Sequence, residues 1–137
     1  MLEWHNPDFE EIKRILGEIK TIAVVGLAAK PERASNEVAQ YLIDNGFDII
    51  PVNPVEQEIL GRKSYPDLKS IDRPVDLVDI FRKAEAVPPI VDEAIDIGAK
   101  YIWLQLGIIS EEAYKKATEA GIPIIMDRCI LQEHKKI

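Results

Sequence analysis

The sequence predicts an α/β protein: a doubly wound, mainly parallel five-stranded sheet with helices on both faces, preceded by an N-terminal helix. Three observations carry that reading. Short apolar runs recur at 22–25, 48–52, 75–80, 101–105 and 122–126, each near-continuous in Val, Ile, Leu, Trp or Met, as strands buried on both faces are. Amphipathic stretches at 36–45, 88–97 and 110–120 separate them. Gly46, Gly98 and Gly121 stand just past those stretches, where a helix end calls for a left-handed residue. This alternation implies right-handed β-α-β crossovers.

Along the chain, Asn6 and Pro7 read as a cap and first-turn proline. Phe9, Ile12, Ile15, Leu16 and Ile19 then recur at helical spacing up to Lys20. The first strand follows at 22–25, and Gly26 lets the backbone turn sharply without a Cβ clash. Ser35 and Asn36 cap the next helix. The segment 53–73, broken by Pro54, Gly61 and Pro66, is an excursion holding a minor strand or a turn of helix around Ile59 and Leu60. Ser110 caps the helix that opens with Glu111 and Glu112, whose charges suit a helix N-terminus. The polar, basic stretch 132–137 extends a last short helix.

Composition bounds the function. At 137 residues and 47% hydrophobic content, the chain 1–137 is expected to be one domain with one core, residues 1–20 packing on it as a helix. No apolar run approaches the roughly 20 residues that a membrane span needs, and the first residues are acidic where a signal peptide is basic. A soluble, cytoplasmic protein is expected. The one cysteine, Cys129, excludes an intramolecular disulfide and suits a reducing compartment. A net charge of −7 argues against non-specific nucleic-acid binding. Few Asn, Gln, Cys and Met beside abundant Glu, Lys and Ile hint at a heat-adapted source.

In a doubly wound sheet the ligand lies outside the carboxyl ends of the strands, where the winding reverses. The loops expected there are 26–35, the turn at Asn53 and Pro54, and 105–110. The first resembles a phosphate corner: a strand, Gly26, the cations Lys30 and Arg33, then a helix start with free N–H groups. It departs from the dinucleotide pattern G-x-G-x-x-G, because Ala28 and Pro31 replace the later glycines and Asn53 stands where an acid would bind ribose. Ala28 adds a methyl and Pro31 removes a donor. No P-loop pattern is present either. Two cations on the loop suit a ligand with several phosphates, whereas a solvated loop would pair them with Glu32 or Glu37.

Beyond that corner the chain resembles the stand-alone CoA-binding domain family, Rossmann-like relatives of the CoA-binding domain of the succinyl-CoA synthetase alpha subunit. The resemblance rests on VVGLAAKPERAS at 24–35, IIPVNP at 49–54, the segment 61–65, VDLVDIFRKAEAVPPIV at 75–91, YIWLQLGI at 101–108 and MDRC at 126–129. It implies coenzyme A bound with its phosphates near Lys30, Arg33 and Ser35, beside Gly26, Leu27 and Ala28. It implies adenosine over Val52, Asn53 and Pro54, and a pantetheine arm running past Phe81 and Arg82 toward Gln105 and Gly107. The family often carries Ser or Thr where this chain has Ala28, leaving backbone N–H groups to serve there.

Other residues divide between site and scaffold. Arg82 and Lys83 add cations at the same mouth, or form a solvated pair offset by Glu85. Trp103 lies within a strand and reads as core. Gln105, at that strand's end, is placed to meet ligand amides, and Gly107 permits close backbone approach. Cys129 reads first as a small, half-buried hydrophobe. Alternatively, with Arg128 favouring its thiolate, it exchanges disulfides with a CoA thiol. His5 and His134 lack partners at metal-ligand spacing, and no catalytic triad or paired carboxylate stands out. The expected function is a binding module for coenzyme A or an acyl-CoA, a sensor, carrier or regulator with no catalytic machinery of its own. The alternatives are a small NAD(P)-linked or other nucleotide-using enzyme, and a thiol redox protein acting through Cys129.

Overall fold

The computed structural model describes residues 3–137. In chain order the elements are α1 (Phe9–Glu18), β1 (Thr21–Val25), α2 (Ala34–Asp44), β2 (Asp48–Val52), β3 (Glu58–Ile59), β4 (Arg62–Lys63), a 3₁₀ turn (Leu68–Ser70), β5 (Leu77–Ile80), a second 3₁₀ turn (Ala84–Ala86), α3 (Val87–Asp96), β6 (Tyr101–Leu104), α4 (Glu111–Glu119), β7 (Ile124–Ile125) and α5 (Ile130–Lys135). The main sheet runs β2-β1-β5-β6-β7 with every pair parallel, the five-stranded sheet that the apolar runs predict. The excursion after β2 holds the small antiparallel hairpin β3-β4 and the first 3₁₀ turn. Among the described residues no helix is long and apolar enough to cross a membrane.

Strand alternation sends successive side chains to opposite faces, and each face has its own apolar layer. Ile22 and Val24 of β1 join α1, α2 and α5 through Ile15, Leu42 and Ile130. Ala23 and Val25 face α3 and α4 through Val91, Ala94, Ala113 and Ala117. Trp103 is fully buried in the first layer and donates its indole N–H to the Arg128 carbonyl at 2.8 Å, the core role its position in a strand predicts.

Two helix starts differ from expectation. The cap of α1 is Asp8, whose carboxylate accepts the Glu11 N–H at 2.9 Å. Asn6 lies before the helix and exchanges two 2.8 Å bonds with the Met126 backbone, so its amide acts as a strand partner that ties the N-terminal segment to the end of β7. At α2, Arg33 holds the cap position with no side-chain cap bond, and Ser35 and Asn36 fall inside the first turn.

Asp76 stitches the amino ends of two strands. Its Oδ2 accepts the Lys20 and Thr21 N–H groups at 2.8 and 3.0 Å, and Lys100 Nζ lies 3.5 Å from Oδ1. Burial pushes this carboxyl up, but the Thr21 and Lys20 N–H bonds, with Lys100, outweigh it and hold the group below its ordinary value. Asp76→Ala should therefore destabilise the fold by about 2 kcal/mol at neutral pH, the scale of hydrogen bonds to a charged group. Because the folded value is depressed, this stabilisation is present above the unfolded carboxylate value and is lost as pH falls through the folded one. Urea unfolding of both proteins at neutral and acid pH checks this: the gap should narrow in acid, and a constant gap would contradict it.

Candidate functional site

The winding reverses between β1 and β5, so the carboxyl ends of these strands form the switch point. β1 runs into Gly26 at φ +87, where a Cβ would stand 2.6 Å from the Phe81 carbonyl oxygen. The Gly26 N–H donates to Val52 O at 3.0 Å, and the Phe81 N–H to Val25 O at 2.9 Å, which fixes three strand ends together.

The loop beyond Gly26 is fastened to the start of α2. Ser35 Oγ accepts the Ala28 N–H at 2.9 Å, and Asn36 Nδ2 donates to Ala28 O at 2.8 Å. The Ala28 N–H expected to be free for a phosphate is thus engaged by Ser35. The Ser35 hydroxyl hydrogen is donated to no described residue, and Ser35 lines a cavity of about 220 Å³ with Gly26, Ala28, Arg33, Ala34 and Phe81. Lys30 and Arg33 are exposed, and among the described residues neither forms an ion pair with Glu32 or Glu37. Arg33 lines the cavity, whereas Lys30 stands on the loop outside its lining. The Leu27 side chain is wholly buried and its carbonyl accepts from Asn53 Nδ2 at 3.0 Å, so Leu27 offers a ligand no side-chain contact.

At the end of β2 a second cavity, about 120 Å³, is lined by Gly26, Val52, Pro54, Pro66, Leu68 and Arg82, among others. Arg82 has no ion-pair partner within the described residues, Glu85 included. The Asn53 side chain is engaged with the backbone. Its Nδ2 holds the Leu27 carbonyl, and its Oδ1 accepts the Val55 and Glu56 N–H groups at 2.8 and 3.2 Å, forming the turn that leaves β2.

On the other side of the corner, Ala34, Val38, Phe81, Gln105, Leu106, Ile108 and Cys129 line a third cavity of about 420 Å³. Gln105 is 4% exposed, and its Oε1 accepts the Ile130 N–H at 3.2 Å. Its Nε2 donates to no described residue. Gly107 lies outside the lining: its N–H donates to Asp127 Oδ1 at 2.7 Å, and nothing lies within 4 Å of where its Cβ would be. It forms a turn at φ +83 with open space beside its Cα. Cys129 is half-buried at the start of α5, while the exposed Arg128 donates Nη1 to the Asp127 carbonyl. His134 bonds the Tyr41 hydroxyl at 2.7 Å and sits edge-on to Phe47, a structural role. Among the described residues no group of three His, Cys, Asp or Glu side chains is placed to hold a metal ion.

The cavities are contiguous. The first two share Gly26, and the first and third share Ala34 and Phe81. They string together a groove that starts at Val52, Pro54 and Arg82, passes Arg33 and Ser35, and ends at Gln105 and Cys129. Sequence reasoning missed Ala34, Val38, Leu106 and Ile108. Ala34 and Val38 share a helix face at i, i+4 beside the loop, which was the available signal, and Leu106 is a large apolar residue 70% exposed at a strand end.

A parallel sheet wound both ways, with a fastened glycine corner at its switch point and a groove across its carboxyl ends, defines a Rossmann-like class of fold. Within that class the chain belongs to the CoA binding domain family, whose model matches residues 20–135. It is 45% identical over 129 residues to the protein YneT of Bacillus subtilis (strain 168), covering 94% of this chain and 96% of that one. A solved structure of a hypothetical protein from Pyrococcus horikoshii OT3 superposes with a TM-score of 0.93 at 42% identity, over 99% of this chain and 98% of that one. The chain is also 33% identical over 100 residues to acetate–CoA ligase (ADP-forming) II of Archaeoglobus fulgidus, covering 72% of this chain and 15% of the ligase.

Proposed function

We propose that the protein binds coenzyme A or an acyl-CoA along this groove, as a small sensor, carrier or regulator. The observation that carries the reading is the joining of two unlike cavities. One has an unpaired arginine, a free hydroxyl hydrogen and a helix start; the other is mainly apolar with a single amide donor. A ligand with a phosphorylated nucleotide at one end and a long uncharged arm at the other matches both. Family membership supports the same ligand. In this assignment Arg33, Ser35 and the N–H groups at the start of α2 take phosphate, with Lys30 adding field from the loop. Val52, Pro54 and Arg82 border the nucleotide, and Phe81 and Gln105 guide the arm. An NAD(P)-linked enzyme is the weaker alternative, because Ala28 and Pro31 crowd the pyrophosphate position and the Asn53 side chain is committed to its turn.

Titration calorimetry of the full chain under reductant should show saturable binding of CoA. Arg33→Ala should weaken it roughly 5- to 30-fold, the equivalent of about 1–2 kcal/mol for a charge-assisted phosphate contact, and Lys30→Ala, which removes only field from the loop, should weaken it less. Binding of NAD(P) in preference to CoA, or no binding of CoA or acetyl-CoA, would overturn the proposal.

A further inference from the structure

Cys129 is the one cysteine of the chain, and it lies at the end of the groove farthest from the nucleotide corner's β2 side. It is half-buried, packing against the core on one side and lining the 420 Å³ cavity on the other.

A second, independent observation points to a ligand there. Gln105 is 96% buried and lines the same cavity, with Oε1 fixed by the Ile130 N–H. The bond that fixes the oxygen leaves the two Nε2 hydrogens without a described partner. Among the described residues the fully enclosed unpartnered polar atoms are those of Asp79, so Gln105 Nε2 opens onto the cavity, where an acceptor supplied by a ligand would complete its bonding. The remaining walls, Ala34, Val38, Phe81, Leu106 and Ile108, are apolar. An uncharged chain carrying an amide carbonyl and ending in sulfur fits all three features.

We propose that this end of the groove captures the sulfur of its ligand: Cys129 forms a reversible mixed disulfide with a nucleotide-bearing thiol, while Gln105 Nε2 donates to an amide carbonyl of the arm. The proposal rests on the CoA reading above. The co-reactant is the disulfide form of the ligand. The Cys129 thiol loses its proton to solvent, and the thiolate attacks one sulfur of the ligand disulfide. A new S–S bond joins Cys129 to one ligand half as the old S–S bond breaks. The other half leaves as a thiolate and takes up a proton. One disulfide is consumed and one is formed, so no further oxidant is needed. A thiol in solution reverses the step.

The test uses the full chain, reduced and desalted, incubated separately with CoA disulfide and with glutathione disulfide and followed by intact mass. The expected result is one CoA adduct per chain, removed by dithiothreitol and formed roughly tenfold or more faster than the glutathione adduct, because the groove raises the local concentration of the CoA disulfide. Gln105→Glu, which keeps an oxygen for the Ile130 N–H and removes both donors, should slow the CoA reaction without slowing the glutathione reaction. Absence of a CoA adduct, or equal rates for the two disulfides, would overturn the proposal. Calorimetry with reduced CoA separates the two layers: heat without an adduct removes only the disulfide step, while no heat removes the binding reading beneath it.

Discussion

Replacing Gly26 by alanine should cost roughly 2–5 kcal/mol of folding free energy and abolish ligand binding at the corner. Two penalties add at this position. The backbone is at φ +87, which disfavours any residue with a Cβ by about 1–2 kcal/mol. The new methyl would also stand 2.6 Å from the Phe81 carbonyl oxygen and 3.2 Å from the Phe81 carbonyl carbon, a backbone that cannot swing aside as a side chain can. Relief requires β1 and β5 to part at the switch point, and overpacking of this kind costs about 1–3 kcal/mol more. The same shift would disturb the bonds from Gly26 to Val52 and from Phe81 to Val25, which align the three strand ends bordering the groove. Gly107 provides the comparison. It has φ +83 but nothing within 4 Å of a Cβ, so Gly107→Ala should show only the conformational penalty. Urea unfolding of the two variants beside the parent, with calorimetry against CoA, checks this. Equal losses for both would mean that crowding at Phe81 contributes nothing.

The contrast between these glycines marks where sequence reasoning stopped. Gly26, Gly46, Gly98 and Gly121 were all legible as turns or helix ends, and each has positive φ. The five strands and the helices between them followed from runs of apolar residues whose period does not depend on distant contacts. Helix caps were less legible, because Ser and Asn side chains that favour a cap can equally bond a backbone group elsewhere. Asn6 bonds Met126, and Ser35 and Asn36 hold Ala28. β7 is shorter than its apolar run because only Ile124 and Ile125 register with Ile102 and Trp103 of β6. In the candidate site, the corner at Gly26 is local in sequence and was visible. The cavity of Ala34, Val38, Gln105 and Cys129 assembles residues nearly a hundred positions apart and exists only after the sheet forms. Asn53 and Gly107 show the converse: their polar groups looked available until tertiary contacts with Leu27 and Asp127 engaged them.

The run 75–80 hid two aspartates, and the wholly buried one, Asp79, gives the fold its sensitivity to rising pH. Asp79 lies in β5, in register with Val24 of β1 and Trp103 of β6, on the face that packs against α1, α2 and α5. It is 0% exposed, and neither carboxylate oxygen has a hydrogen-bond partner among the described residues. Burial pushes its pKa well above the ordinary carboxylate range, because a charge without partners in an apolar layer is strongly disfavoured. The folded chain therefore holds a proton that the unfolded chain releases. A raised folded value makes the contribution of this group to stability fully present below the unfolded carboxylate value, and that contribution declines as pH rises toward the folded one. Asp79→Val keeps a β-branched residue suited to the strand and removes both unsatisfied oxygens. It should stabilise the protein at neutral pH by roughly 1–3 kcal/mol, the scale of one unsatisfied buried polar group, and more in alkali. Asp79→Asn removes the titration but keeps an unpartnered polar group, so it should flatten the pH dependence with a smaller gain. Urea midpoints measured from acid to alkaline pH separate the three chains: the parent should lose stability as pH rises, and both variants should lose less. A parent whose stability does not fall on that side, with a Val variant weaker than the parent throughout, would mean that Asp79 is charged and partnered in solution.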